Sequence, residues 1–153
     1  MTHRRNKEPK TYEPFKLKAT MLAFDEYLRI FIIPQIPAGF AEYRASIRNS
    51  IEKAWRELYM ASFTTGRERQ RRLLEFKIEM AMIETFMKEI RDVCYRGKEK
   101  RKLDDKSARR FEVCAEKQRA VMEIVWGWIQ NEHEKNDSRK TQKTAGLTDG
   151  AVE

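Results

Sequence analysis

Between residues 73 and 94, large apolar side chains recur in alternating steps of three and four: Leu73, Phe76, Met80, Ile83, Met87, Ile90 and Cys94. That spacing holds them on one face of an α-helix, which only another helix or a continuous groove can cover. The helix is predicted over about 67–95. At 1.5 Å per residue it would span roughly 40 Å.

Three other stretches share the rhythm. A first helix is predicted from Phe15 or Leu17 to Ile33, with Met21, Phe24, Leu28 and Phe31 as its stripe and Tyr27 and Ile30 widening it. Pro34 removes a backbone donor and restricts the residue before it, so the helix ends there. Pro37 and Gly39 keep the next turn non-helical. A second helix is predicted from about Phe40 to Phe63, with Ile47, Ile51, Ala54, Leu58 and Ala61 as its seam and Trp55 on the flank. The small Ala54 and Ala61 invite close approach of a neighbouring backbone. Thr64 or Thr65 is placed to cap the following helix, with Glu68 three residues after Thr65. Gly97 and the basic run Lys98 to Lys102 break the third helix. The fourth starts after Asp104 or Asp105, ends near Glu132, and carries Phe111, Cys114, Gln118, Val121, Val125 and Trp128. Gln118 is the polar residue on that line. It either pairs across the core and helps set register or lies at the edge of the buried zone.

Four helices with short links make an all-α, antiparallel up-down four-helix bundle over 15–132. Residues 1–14 read as a flexible basic lead and 133–153 as a disordered tail, because neither holds enough apolar surface to anchor a core. A chain of 153 residues forms one domain and buries a core without metals or disulfides. The apolar zones are also wider than a monomeric bundle requires. Leu74, Ile78, Ala81, Met82 and Phe86 lie off the seam of the third helix, and Ile30, Ile32 and Ile33 extend the first. A stripe of about 100° per helix is enough for the core, so the surplus favours self-association.

Charge adds a second theme. The chain holds 32 Lys and Arg against 24 Asp and Glu, a net charge of +8. Residues 1–20 contribute six basic and two acidic groups, and 67–102 contribute twelve and seven, while 21–66 is balanced. Basic patches on a balanced body point to nucleic acid, a membrane surface or an acidic protein. Candidate phosphate contacts are Arg67, Arg69, Arg71 and Arg72 at the start of the third helix and Arg96, Lys98, Lys100, Arg101 and Lys102 past its end. Arg44, Arg48 and Arg56 form a possible lateral patch, and Arg4, Arg5, Lys7 and Lys10 a basic lead. A solvated basic exterior is the competing reading.

Nothing in the pattern argues for catalysis. The two histidines are His3, in the lead, and His133, at the end of the fourth helix, and no Glu precedes a His at the spacing of a di-iron bundle. Cys94 and Cys114, the two cysteines, lack metal spacing, and the glycines are isolated rather than gathered into a phosphate loop. Glu75, Glu79 and Glu89 suit surface pairing with Lys77 and Lys88. No cofactor is implied. The first twenty residues hold no long apolar run, and Ile30–Ile33 is too short to cross a bilayer, so a reduced, cytoplasmic setting without membrane contact is expected. Trp126 points away from Trp128. It is either covered by a broad core or serves as an apolar anchor near Arg119 and His133 for another subunit or a partner protein.

The link Ile33-Pro34-Gln35-Ile36-Pro37, the spacing Ile47, Ile51 and Ala54, Arg91, and the closing Val125-Trp126-Gly127-Trp128-Ile129 form a recognisable set. Together they resemble the accessory variability determinant proteins of diversity-generating retroelements, within a wider group of four-helix-bundle proteins that includes the 23S rRNA intervening-sequence proteins. The resemblance covers about residues 20–131, and the closing Gly-Trp pair followed by an apolar residue is its most specific element. It implies a non-enzymatic homopentamer with a basic surface that binds the retroelement reverse transcriptase and template-repeat RNA, or an RNA/DNA hybrid, during mutagenic cDNA synthesis. The alternative is a stand-alone four-helix-bundle RNA-binding or scaffolding protein without a reverse transcriptase partner.

Overall fold

The computed structural model describes residues 14–95 and 105–151. The flexible lead expected over 1–14 lies outside them but for Pro14, and so does the break at Gly97–Lys102. The described residues form an all-α four-helix bundle with no strand. Its helices are α1 (Pro14–Tyr27), α2 (Ala41–Ser62), α3 (Gly66–Tyr95) and α4 (Asp105–Ala151). Side-chain pairs fix their directions. Along α3 and α4, Met87 meets Cys114, Met80 meets Gln118 and Lys77 meets Trp126, so the two helices run antiparallel. Tyr27 meets Lys117 and Phe31 meets Arg110, which sets α1 antiparallel to α4. A three-residue link turns α2 back along α3, where Glu57 meets Arg72. The pair α2 and α3 packs most extensively, as the buried Ser50, Ala54 and Ala61 on α2 allow. A Trp55 Nε1–H bond to Asp25 (3.2 Å) ties α2 to α1.

The seams read from spacing form the core. Ile47, Ile51, Ala54, Leu58 and Ala61 are buried on α2, Leu73 through Ile90 on α3, and Phe111, Cys114, Val121, Val125 and Trp128 on α4. The side chain of Cys94 lies outside those described. Gln118 takes the first of its two readings. It is buried, and its Nε2 donates to the Met80 carbonyl across the core at 2.7 Å. A buried amide left without that acceptor would pay its full desolvation cost, so the bond also fixes the α3–α4 register.

Three expectations change. The stripe of α1 does not continue through Phe31 and Ile30. A π-helical turn, Leu28–Ile32, follows α1, and the Ile33 N–H reaches back to the Leu28 carbonyl. Pro34 has no N–H to bond the Ile30 carbonyl, and its ring crowds that position. The added residue in the turn rotates the apolar face, so Ile32, Ile33 and Ile36 are buried while Ile30 and Phe31 are exposed. The cap expected of Thr64 or Thr65 is also replaced. Thr64 Oγ1 donates backward to the Met60 and Ala61 carbonyls at 3.1 and 3.3 Å, closing α2 instead of opening α3. Gly66, the first residue of α3, takes φ 59°, a backbone position that favours glycine. Finally, α4 does not end near Glu132 but continues to Ala151, and His133 pairs with Asp137 one turn on (3.2 Å).

Cys114 reports on core integrity. Its thiol donates to Met87 Sδ at 3.6 Å, and burial pushes it up to about 12. An unfolded thiol ionises near ~8.5, so the native state holds its proton where the unfolded chain releases it. This contribution is therefore complete below that pH and is lost as pH rises toward 12. In a Cys94→Ser background, Cys114 should resist iodoacetamide at pH 8 and react once urea unfolds the chain. Equal rates in both states would show that the α3–α4 core is open.

Candidate nucleic-acid and partner surfaces

The four arginines at the start of α3 do not form one free basic cluster. Arg69 Nε donates to the Ala61 carbonyl at 3.1 Å, which the Thr64 hydroxyl also reaches, so Arg69 is engaged in closing the end of α2. Arg71 binds Glu68 at 2.8 Å, and Arg72 bridges Glu68 at 3.1 Å to Glu57 at 3.2 Å. The Arg71 hydrogen bond is the main reason the Glu68 carboxyl lies below its usual range, and Arg72 adds to it. Arg67 alone of the four points to solvent with no hydrogen bond or ion pair among the described residues. A phosphate could recruit Arg71 or Arg72 only by competing with carboxylates already in place.

The lateral patch divides in the same way. Arg44 is half-buried and donates to the Ile36 carbonyl, so it tethers the Ile33–Pro37 link to α2. Arg48 and Arg56 are exposed and have no ion pair among the described residues. Eight residues separate them, which is about 12 Å along the helix axis. Arg96, Lys98, Lys100, Arg101 and Lys102 lie outside the described residues.

Two aromatic residues join Arg48 and Arg56 on the outer side of α2. Tyr59 is 64% and Phe63 70% exposed, and their rings pack edge to face with centroids 4.8 Å apart. The sequence carried a signal for them that spacing arguments passed over. They are aromatics four residues apart that fall outside the Ile47–Ala61 seam, three and seven residues after Arg56.

The surface expected to meet a protein partner is better formed. Trp126 is 47% exposed, and Lys77 Nζ stands 4.3 Å from its ring centroid, a cation–π contact across the α3–α4 groove. Arg119, two turns earlier, is exposed. On α3, Leu74, Ile78 and Met82 are exposed at steps of four, on the side of the helix opposite its buried seam. Leu74 and Ala81 are the helical neighbours of Lys77, so an apolar band adjoins the Trp126 contact. The acidic residues of α3 pair differently from expectation. Lys88 holds Glu84 at 3.1 Å, and Lys77 is drawn to Trp126, so neither neutralises Glu75, Glu79 or Glu89 in the predicted way.

Among the described residues, no three His, Cys, Asp or Glu side chains converge as a metal site requires, and no helix is long and apolar enough to cross a membrane. The fold therefore defines an all-α bundle with an exposed apolar band and scattered free arginines. Comparison with family models, curated proteins and solved structures finds no match to this chain.

Proposed function

We propose that this chain is a non-enzymatic accessory factor of a diversity-generating retroelement, binding its reverse transcriptase and template RNA to support cDNA synthesis. The observation that supports this reading most is the apolar band Leu74–Ile78–Met82 beside the half-exposed Trp126. A lone bundle leaves that surface wet, whereas a protein assembled with copies of itself and with a polymerase covers it. The resemblance in the Ile33–Pro37 link and the Val125–Ile129 segment supplies the choice of partner and the number five for the assembly. RNA is bound through phosphate contacts at Arg48, Arg56 and Arg67, without reading bases for sequence. A stand-alone RNA-binding or scaffolding bundle is the second reading, favoured by the engagement of Arg69, Arg71 and Arg72 inside the fold.

The test is co-purification of the chain with the reverse transcriptase, then cDNA synthesis with and without it. The complex should survive Arg48→Gln/Arg56→Gln/Arg67→Gln and fail on Trp126→Ala, because packing joins the proteins and charge holds the RNA. No complex at low salt, with unchanged synthesis, would leave the second reading. Binding of single-stranded RNA should weaken with salt at a slope of roughly two on logarithmic axes, from three arginines at about 0.7 each. A steeper slope is expected where several subunits touch one strand. Affinity that stays constant up to about 0.5 M salt would refute the phosphate account.

A further inference from the structure

The outer side of α2 carries more than charge. Tyr59 and Phe63 sit one turn apart, both more than half exposed, in an edge-to-face pair with an interplanar angle of 63°. An edge-to-face pair uses the edge of one ring against one face of the other, so the pairing itself does not occupy the remaining ring faces of these two exposed residues. Their surroundings are polar and cationic. Arg56 precedes Tyr59 by one turn, Arg48 lies two turns further back, and Arg67 follows Phe63 just across the link. This differs from the α3 band, where exposed Leu, Ile and Met lie side by side as at a protein contact. Apolar rings flanked by arginines free of ion pairs match a ligand with flat faces and a regularly charged backbone.

We propose that Tyr59 and Phe63 form a stacking platform for the bases of an unpaired nucleic-acid strand, whose phosphates are held by Arg48, Arg56 and Arg67. The proposal rests on the reading of this chain as an RNA-binding protein and specifies the form of nucleic acid bound. The bases of a duplex are stacked on one another and present no face to a ring. Strands with bases splayed out do, and any base can stack, so the site has little sequence preference. Glu52 shares this side of α2 between Arg48 and Arg56, and its charge favours a strand that crosses the helix toward Phe63 and Arg67 rather than one that follows the α2 axis.

The experiment compares a fluorescein-labelled oligothymidylate of about twelve nucleotides with a base-free strand of the same length and charge, using the full-length protein at about 50 mM salt. The wild type should prefer the strand with bases by at least about tenfold. Tyr59→Ala/Phe63→Ala should lose that preference and leave binding of the base-free strand unchanged, while Tyr59→Phe/Phe63→Tyr should retain it. Arg48→Gln/Arg56→Gln should weaken both strands alike. Equal binding of the two strands by the wild type overturns the proposal. If the alanine pair keeps the preference while the glutamine pair loses both strands, the stacking claim falls and nucleic-acid binding stands. If the wild type binds neither strand, the underlying reading falls with it. A change in assembly mass for the alanine pair, seen by light scattering, would assign the two rings to a protein contact and also overturn the proposal.

Discussion

Phe76→Ala is expected to destabilise the protein by about 3–5 kcal/mol, while Leu74→Ala, two residues away on the same helix, should stay within about 0.5 kcal/mol. Phe76 is fully buried in the α3 seam, so its removal loses the transfer energy of the ring and leaves a cavity that the surrounding helices fill only in part. Leu74 stands on the opposite side of α3, exposed, where truncation removes little packing in a single chain. Urea unfolding under dissociating conditions measures both. Typical domains have about 5–15 kcal/mol to lose, so the Phe76 variant approaches the limit of cooperative folding. The accompanying fall in melting temperature should be about 10 °C. Equal effects at the two positions would mean that α3 packs with another phase and that the α3–α4 pairing through Gln118 is wrong.

Most of the bundle was legible because helices report their buried face locally. Each seam position on α2 and α3 within the described side chains is buried, and a stretch of five or six such positions leaves little choice of phase. The failures occur where an effect crosses from one segment to another. The π turn before Pro34 shifts the apolar phase by one residue, and a fixed period of 3.6 cannot show that Ile32 replaces Phe31 inside. Counting arginines treated Arg67, Arg69, Arg71 and Arg72 as one patch. The partners of the last three are the Ala61 carbonyl and Glu57 on α2 and Glu68 on α3. Of these, Glu57 and Ala61 come near only because the chain turns back at Gly66. Charge content is therefore readable from sequence, while its availability to a ligand depends on tertiary neighbours. Trp126 is an intermediate case. Its position relative to Trp128 removed it from the seam, but its contact with Lys77 depends on the antiparallel meeting of α3 and α4.

Ile78→Glu/Met82→Glu is expected to reduce the proposed assembly to a monomer of 18.3 kDa without unfolding it. Both side chains lie on the outer side of α3, Ile78 being 54% exposed, so the monomer gives up little core packing when they change. In an assembly the same positions would be covered. Fully burying a Leu, Ile or Met side chain contributes about 1.5–3 kcal/mol, and these residues still have roughly half of that to gain from a neighbour. Two carboxylates at each contact reverse the balance, because a charge moved out of water without a partner costs several kcal/mol. The expected record is a fall in scattering mass, unchanged helical circular dichroism, and a urea midpoint close to that of the parent measured under dissociating conditions. Retention of the parent mass by the double variant would place the subunit contact elsewhere, and a parent that is already monomeric at micromolar concentration would remove the assembly from the proposal. Trp126→Ala separates the two protein contacts. If it preserves the mass but loses the polymerase, the α3 band joins copies and the Trp126 groove receives the partner. If it also dissociates the assembly, one continuous surface serves subunit association and the enzyme cannot dock at that same contact.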